Sequence, residues 1–258
     1  MKIAVLLSAG RHPVSGRPAP VPVELQAIRL AVEIGRQFGG DVTGLHAGPE
    51  LGPLTDALGH GLARLVHLHN EGESDPAPSL AAALAEGAYD LILAGRAGQG
   101  GEDSGLLPYT LARTLGLPII ADAAALALGE APGTLGVEQA LARGARRRLL
   151  VRLPALVTVH PAAPAPLPFA FAAARRGSSE ARPGRHAPAP SPTVEERPYR
   201  PRPKLIAKAA AGSTALERLR AATEAASGGG RLLVDPAPEE AAREILAHLR
   251  ALGLVTAR

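Results

Sequence analysis

The sequence predicts an α/β protein with a parallel sheet, added antiparallel strands and a C-terminal helical arm. Three observations carry this prediction. Short apolar segments alternate with amphipathic helical segments over residues 1–115, which is typical of βαβ units and of a sheet buried on both faces. Strand-like segments then follow one another over residues 121–159 without room for crossover helices. Two short helical segments end the chain after a Pro-rich stretch.

The predicted parallel strands are short apolar runs that end at glycines or polar turns. The first run ends in Ser8-Ala9-Gly10, and the second is closed by Gly48-Pro49. The four predicted strands are residues 2–7, 42–47, 63–69 and 89–95.

The helices between these strands are predicted from apolar residues at helical spacing and from stop signals. In the first helix Leu25, Ile28 and Val32 recur at this spacing, and Gly39-Gly40 ends it. The predicted helices are residues 23–38, 51–62, 79–86 and the segment from Gly105 to Leu115.

The pattern changes in the second half of the chain. Four strand-like segments predict a meander or hairpins added to the sheet, and they are residues 121–128, 134–141, 147–153 and 156–159. Residues 160–204 are rich in Pro, Ala and Arg, and such a segment cannot bury enough apolar surface to order itself. The sequence therefore predicts an α/β domain over residues 1–170, a linker or arm over 171–204 and a helical segment over 205–258.

The helical segment contains two predicted helices, residues 213–226 and 238–252, with a short predicted strand at 231–234 between them. Ser213 is a favourable N-cap for the first helix. Glu239-Glu240 lies in the first turn of the second helix, where acidic side chains interact favourably with the helix dipole.

Composition excludes several classes of protein. The 258 residues contain no Cys, which excludes disulfides, thiolate metal sites and a Cys nucleophile. Hydrophobic residues make up 46% of the chain, but no charge-free apolar run reaches the roughly 18 residues of a membrane-spanning helix. The N-terminal segment fits a strand better than a signal peptide, so we expect cytoplasmic residence without membrane insertion.

The net charge of +4 does not predict nucleic-acid binding. Between Arg175 and Lys204 the chain has eight Lys or Arg against three Asp or Glu, so the basic surplus lies in one Pro-rich segment. Aromatic residues, which stack on bases, make up only 2% of the sequence. Arg143 and the run 146–148 precede a predicted strand and are interpreted as a solvated strand face rather than a phosphate grip.

A glycine-rich loop from Gly95 to Gly105 follows a predicted strand and precedes a predicted helix. Glycines let the backbone approach a ligand, and free N–H groups at a helix start favour an anion. The Ser104 hydroxyl lies close in sequence to those amides. The loop matches neither Walker nor Rossmann spacing, so an ordinary flexible connection remains an open alternative.

Small residues also end neighbouring predicted strands, where ligands of open parallel sheets lie. Such residues at three strand ends would leave space for a flat ring, although glycines often do no more than end strands. The candidate cofactor-binding residues are Ala9, Gly48, Gly95, Gly100, Gly101, Ser104 and Gly105.

No catalytic or metal site is predicted. His67 and His69 alternate along a strand and share a face, but no third ligand lies at suggestive spacing. The sequence contains no Gly-x-Ser-x-Gly, no His-Glu-x-x-His and no paired acid and base, so we expect a protein that is not an enzyme.

Six segments in order resemble the β subunit family of electron transfer flavoproteins, the FixA-like group. The resemblance covers roughly residues 1–176, with a looser match at the C-terminal helix. The segments are Val21-Pro22-Val23-Glu24, 45–49, 90–95, 102–105 with Leu117-Pro118, 153–158, and Leu167-Pro168-Phe169 with Arg175-Arg176. The chain departs from the family pattern at several positions: Val21 replaces Asn, Arg143-Gly144-Ala145 replaces an acidic and Gly cluster, Arg147 replaces Glu, and Glu102-Asp103 replaces Asn-Gln. The chain is therefore interpreted as a divergent branch.

The resemblance implies a Rossmann-like fold of the adenine-nucleotide α-hydrolase type and a heterodimer with an α subunit. That subunit holds most of one FAD, and the β subunit shields part of the flavin. The pair takes electrons from a flavin-dependent dehydrogenase and passes them to a quinone-linked oxidoreductase, so the cofactor does the chemistry. Members usually carry AMP as well, but the carboxylates of Glu102 and Asp103 disfavour a phosphate here.

The resemblance also implies two partner-binding segments. Leu167, Pro168 and Phe169 resemble the recognition loop that family members extend toward dehydrogenases, and we expect an exposed Leu167 that anchors in a partner pocket. Packing of Leu167 on its own domain is the alternative. The predicted helix 238–252 is expected to dock on the α subunit through an apolar face. Its apolar residues are Ala242, Ile245, Leu246, Leu249 and Leu252.

Two other functions remain open from the sequence. A stand-alone adenine-nucleotide-binding protein of the same fold would account for the first 120 residues, but not for the strand meander, Leu167-Pro168 or the C-terminal segment. A basic RNA-binding protein would show an affinity that falls steeply with salt.

Overall fold

The computed structural model describes residues 1–12, 14–71, 74–99, 103–185, 214–216, 233–234, 236–251 and 253–254. The chain divides into two compact units, Met1–Thr193 and Val194–Arg258. The first unit contains the sheet and the cleft discussed below.

The first unit is built on one large sheet and a small two-stranded ribbon. The strands of the large sheet are β1 (Lys2–Leu6), β4 (Asp41–Gly48), β5 (Arg64–His69), β6 (Leu91–Gly95), β7 (Ile119–Leu128), β8 (Thr134–Ala140), β9 (Arg146–Arg152), β10 (Ala155–Val159) and β11 (Ser178–Pro183). The ribbon pairs β2 (Ala9–Arg11) with β3 (Pro18–Pro20). The order in the large sheet is β11-β5-β4-β1-β6-β10-β7-β8-β9.

Helices connect these strands. They are α1 (Pro22–Phe38), α2 (Pro76–Gly87), α3 (Leu107–Leu115) and α4 (Phe171–Arg176), with 3₁₀ helices at Gly52–His60 and Ala142–Gly144. The segment predicted as an ordinary helix over residues 51–62 is thus a 3₁₀ helix. In the second unit, α5 (Pro238–Ala251) agrees with the prediction for residues 238–252 within the described residues.

Local sequence explains where the first two α-helices begin and end. Pro22 lies in the first turn of α1, where its missing N–H costs nothing, and Gly39 ends the helix with a φ of 63°, which favours glycine. Asp75 caps α2, because its side chain accepts a hydrogen bond of 2.9 Å from the backbone N–H of Ala77.

Two apolar cores sandwich the sheet. On one face Ile3, Val5 and Leu93 pack with residues of α1 and of the longer 3₁₀ helix. On the other face Ile92 and Leu156 pack with residues of α2 and α3. Every residue of β6 and β10 is buried, which explains why these strands are uninterrupted apolar runs in the sequence.

The sheet is parallel from β11 to β7, and its strand order reverses between β1 and β6. The strands β4 and β5, which follow β1 along the chain, lie on one side of β1. The strands β6, β10 and β7 lie on its other side. Ligands of such sheets bind at this reversal, beyond the carboxyl ends of the strands. The predicted fold class, a largely parallel Rossmann-like sheet with added antiparallel strands, is confirmed.

One strand was placed wrongly by the sequence. Residues 156–159 were predicted to belong to the antiparallel addition, but β10 lies between β6 and β7 and runs parallel to both. The antiparallel part consists only of the end of β7 with β8 and β9. The crossover between β6 and β10 is the whole of α3, β7, β8 and β9, so spacing between neighbouring segments does not reveal it.

The start of the predicted arm is also ordered. Residues 171–183 form α4 and β11, and β11 pairs with β5 in parallel at the edge of the sheet. The chain stays attached just beyond β11, where the Arg185 N–H donates a hydrogen bond of 2.7 Å to Ser79 Oγ. The predicted arm beyond residue 185, most of the predicted helix 213–226 and half of the predicted strand 231–234 lie outside the described residues.

Candidate functional site

A cleft of about 430 Å³ lies where the strand order reverses. The start of α1, the loop after β6 and Pro161, just beyond β10, form it. Its lining residues are Val21, Pro22, Val23, Gln26, Arg96, Ala97, Gly98, Gln99, Asp103 and Pro161. This is the position at which the sequence predicts a ligand.

A buried carboxyl group lies next to this cleft and is linked through Ser8 to the loop after β6. Glu24, in the first turn of α1, is only 3% exposed. Its Oε2 accepts a hydrogen bond of 2.8 Å from the Ser8 N–H, and its Oε1 accepts one from the Ser8 hydroxyl. Ser8 Oγ in turn accepts a hydrogen bond of 3.0 Å from the Gln99 N–H, and Gln99 Oε1 accepts one of 3.3 Å from the Arg11 N–H.

Burial raises the pKa of Glu24 to about 8, and the hydrogen bonds from Ser8 only partly oppose that effect. The carboxyl group therefore retains its proton over most of the range from pH 4.5 to 8. In the sequence, Glu24 is notable only as part of the segment Val21-Pro22-Val23-Glu24, which resembles the family. An acidic residue in the first turn of a helix is usually explained by the helix dipole, and the sequence contains no signal of its burial.

The spaces beside the predicted strand-end glycines are filled by this chain's own side chains. A Cβ on Gly10 would lie 2.9 Å from Gln99 Oε1, and a Cβ on Gly48 would lie 2.7 Å from His46 Nε2. A Cβ on Gly95 would lie 3.0 Å from Val23 Cγ1. These three glycines are therefore in close contact with side chains of this chain, and the role of the small strand-end residues in cofactor binding stays a prediction. Ala9 pairs with Pro20 in the small ribbon.

The structure describes residues 95–99 and 103–105 of the glycine-rich loop. Gly100, Gly101 and Glu102 lie outside the described residues. Ser104 Oγ accepts a hydrogen bond of 3.3 Å from the Leu106 N–H, just before α3, and Gly105 has a φ of 71°. The role of these residues in cofactor binding stays a prediction.

Two histidines on neighbouring strands stack beside the cleft. His46 and His67 are paired in register between β4 and β5, and their rings lie 5.5 Å apart at 18°. The Nδ1–H of His46 donates to the Leu7 carbonyl at 2.9 Å, and the Nε2–H of His67 donates to the Gly48 carbonyl at 2.8 Å. Burial lowers the pKa of His46, so this ring stays neutral.

His67 and His69, which alternate along β5, differ in their surroundings. His67 is buried and committed to the Gly48 carbonyl, whereas His69 is exposed at the end of β5. No group of three or more potential metal ligands occurs among the described residues.

The arginine run of β9 lies on a solvated face, as the sequence predicts. Arg146 and Arg148 are exposed, and Arg146 forms an ion pair of 3.1 Å with Glu138 on β8. Arg147 donates a hydrogen bond of 2.6 Å to Gln139 Oε1 on the same neighbouring strand.

The predicted recognition segment packs against the longer 3₁₀ helix. Leu167 is half-buried against the core rather than exposed, and its carbonyl accepts a hydrogen bond of 2.6 Å from His60 Nδ1. Phe169 is 48% exposed and lies edge-on to the His60 ring, and Phe171 is 72% exposed. The exposure expected for Leu167 is therefore found at the two phenylalanines. Whether any of these residues binds a partner stays a prediction.

The fold and the position of the cleft first define a class, the Rossmann-like α/β domains related to nucleotide-binding proteins. Comparison with known proteins then gives the family. The family model described as electron transfer flavoprotein domain matches residues 16–191. The chain is 38% identical to the electron transfer flavoprotein subunit beta of Chromohalobacter salexigens, over 97% of this chain and 94% of that protein. This chain belongs to the electron transfer flavoprotein family, and the resemblance noted in its sequence is confirmed.

Proposed function

We propose that this chain is the β subunit of a heterodimeric electron transfer flavoprotein. The observation that carries the proposal is the 38% identity to such a subunit along nearly the whole chain. The α subunit would hold most of one FAD, and this chain would shield part of the flavin. FAD supplies the redox chemistry by accepting and releasing electrons. This chain then acts as part of a cytoplasmic electron carrier and not as an enzyme.

The donor in this proposal is a flavin-dependent dehydrogenase and the acceptor is a quinone-linked oxidoreductase. The segment 164–176 supports a role in docking to the donor, because Phe169 and Phe171 expose apolar rings on the surface of the first unit. Arg175 and Arg176 follow them and are also exposed, so the segment combines aromatic and Arg side chains, which are enriched at binding hot spots.

Helix α5 supports a role in assembly with the α subunit. Ile245 is 61% exposed, and Leu246 beside it is also exposed, although both are apolar. A helix that presents apolar residues to solvent is suited to dock in a groove of a partner. Among the described residues, no helix is long and apolar enough to cross a bilayer.

Co-expression with the cognate α subunit tests the proposal. We expect a complex with one copy of each chain in gel filtration and the absorption spectrum of bound FAD. Addition of a cognate dehydrogenase and its substrate would bleach that spectrum as the flavin is reduced. A folded chain that does not bind the α subunit would contradict the proposal. It would favour the alternative function of a stand-alone nucleotide-binding protein.

A further inference from the structure

The chain between β10 and α4 is rich in proline and has no regular secondary structure over residues 164–170. Its prolines are Pro161, Pro164, Pro166 and Pro168. Proline has no N–H, so this part of the chain cannot join a sheet through a regular ladder of backbone hydrogen bonds. Among the described residues, none forms a backbone–backbone hydrogen bond with residues 164–169. Other contacts therefore hold this part of the chain in place.

Side chains of α1 hold it by its carbonyl groups. Gln26 Nε2 donates to the Pro161 carbonyl at 3.1 Å and to the Ala163 carbonyl at 2.7 Å. Arg29 Nη1, from the next turn of the helix, donates to the Ala165 carbonyl at 2.8 Å. Residues three apart lie on the same face of a helix, so both donors face the same stretch of chain.

The longer 3₁₀ helix adds a further donor. His60 Nδ1 lies 2.6 Å from the Leu167 carbonyl oxygen, and Nδ1 carries the hydrogen because a carbonyl oxygen can only accept. Ala163, Ala165 and Leu167 each precede a proline, which favours extended backbone. The accepting carbonyls thus alternate along an extended chain, and they belong to residues 161, 163, 165 and 167.

The three donors are themselves fixed within the domain. Gln26 is only 8% exposed, and loss of its hydrogen bonds would leave buried polar groups unpaired. Arg29 Nε donates to Glu33 Oε1 at 2.8 Å, which orients the guanidinium group. The His60 ring lies edge-on to the ring of Phe169, with 5.6 Å between the centroids. The hydrogen bonds therefore fix the backbone that leads to the exposed aromatic rings.

We propose that Gln26, Arg29 and His60 are positioning residues for the donor dehydrogenase, because they hold the segment 164–176 in the conformation that meets this partner. The inference rests on the proposed function for the identity of the partner. A segment that is ordered before binding loses less conformational entropy when it docks. Phe171 is 72% exposed, so its order depends on the backbone that precedes it. Loss of a donor weakens docking and leaves the flavin unaffected.

Limited proteolysis of the complex with the α subunit tests whether these side chains hold the segment. Chymotrypsin cleaves after aromatic residues, and cleavage after Phe169 or Phe171 requires the segment to leave its place. We expect Arg29→Ala to be cleaved there about fivefold faster than the wild type, which corresponds to one lost hydrogen bond. The matched control is Arg36→Ala, because Arg36 is an exposed arginine two turns further along α1. Equal cleavage rates for the two variants would overturn the inference.

Kinetics test whether the held conformation serves the donor. Electron transfer from a cognate dehydrogenase is measured with the complex as the varied substrate. We expect Arg29→Ala to raise KM about fivefold and to retain kcat. Reduction of the flavin by dithionite, which needs no docking, should be unchanged. An unchanged KM for Arg29→Ala, or an equal rise for Arg36→Ala, would overturn the positioning role.

Two variants of His60 separate the hydrogen bond from the ring. His60→Asn keeps an N–H donor near the position of Nδ1, whereas His60→Phe keeps a ring beside Phe169 and removes the donor. We expect His60→Phe to raise KM about fivefold and His60→Asn to stay within about twofold of the wild type. The reverse order would overturn the inference. The same pair replaces Arg29→Ala if that variant does not fold.

The outcomes for this inference and for the proposed function are separable. A flavin-containing complex that accepts electrons with the same KM in all variants contradicts the inference and leaves the proposed function intact. A chain that forms no complex contradicts the proposed function, and the positioning role is then overturned with it. Cleavage of the chain alone still decides whether Gln26, Arg29 and His60 hold the segment.

Discussion

The strand-end cleft and the segment 164–176 were both expected to meet other molecules, yet they are built in opposite ways. Next to the cleft, Glu24 accepts hydrogen bonds from Ser8, and Ser8 accepts one from Gln99. In the segment, Phe169 and Phe171 direct apolar rings into solvent, while only Leu167 is anchored to the core. Polar groups that form hydrogen bonds within the chain stabilise the fold. Apolar rings that stay exposed to solvent do not, and exposed apolar patches mark surfaces that bind a partner.

The largest expected effect concerns the protonation of the buried Glu24 carboxyl group. Because burial raises the pKa of Glu24 from 4.5 to about 8, the folded chain keeps a proton there that the unfolded chain releases. This group's stabilising contribution is complete below pH 4.5, falls as pH rises and levels off above pH 8. From pH 5 to pH 8, Glu24→Gln should gain stability relative to the wild type by up to about 3 kcal/mol. Urea denaturation at several pH values measures this, and a pH-independent difference would contradict it.

A steric change tests how tightly the cleft is closed. Gly10→Val would place a side chain against the Ala19 carbonyl oxygen, 2.8 Å from the position of its Cβ, and against Gln99. We expect a loss of about 2 kcal/mol from overpacking, measured by chemical denaturation. Gly52→Ala is the control, because nothing lies within 4 Å of the added Cβ. If Gly10→Val unfolds with the wild-type free energy, the space beside Gly10 is open. That result would weaken the contrast between the two regions.

Leu167 belongs to the segment 164–176, but its side chain packs against the core. Its Cδ1 would be 2.8 Å from a Cβ on Gly61, and the residue packs against the core. We expect Leu167→Ala to cost about 1–2 kcal/mol of stability, less than for a fully buried leucine. Electron transfer from the dehydrogenase, measured per folded complex, then shows whether Leu167 also contacts the partner. If Leu167→Ala instead leaves the free energy of unfolding unchanged and slows electron transfer, the result would support the exposed partner anchor that the sequence predicts at Leu167.

The smallest effect on stability is expected at the most exposed ring. Phe171→Ala should change the free energy of unfolding by less than about 0.5 kcal/mol, since 72% of the residue is exposed. If the segment 164–176 binds the dehydrogenase, the same change should slow electron transfer about tenfold, which corresponds to a loss of about 1.4 kcal/mol in docking. A control is Phe38→Ala, at the far end of α1, where Phe38 is also exposed. Equal transfer rates for both variants would remove the segment from the partner surface.

Much of the architecture followed from local patterns. The apolar strands, the helix α1 with its Gly39 end, and the position of the cleft were predicted from periodicity and from strand-end residues. The position of β10 was not, because α3, β7, β8 and β9 all lie between β6 and β10 along the chain, although these two strands are neighbours in the sheet. The strand β11 was missed because its sequence, SSEARP, is exposed and polar at most positions and pairs only at a sheet edge.

The candidate site was predicted in place but not in content. Gly48 and Gly95 do end β4 and β6 at the edge of the sheet where ligands of parallel sheets bind, whereas Gly10 lies within the short strand β2. Which side chains fill the space beside a glycine depends on residues distant in sequence, such as Gln99 beside Gly10. The burial of Glu24 likewise depends on the approach of the turn at Ser8, and no local pattern encodes that approach.

The position of β10 has a consequence for synthesis on the ribosome. β6 ends at Gly95 and β10 ends at Val159, so about 60 residues must be translated before the inner edge of β6 acquires its neighbour. At typical elongation rates this takes roughly 3–13 s. During that interval one edge of a fully apolar strand lacks its partner, a state that favours pairing with other chains. Nascent chains stalled between these two points would therefore be the forms most dependent on chaperones, and release beyond Val159 would end that dependence.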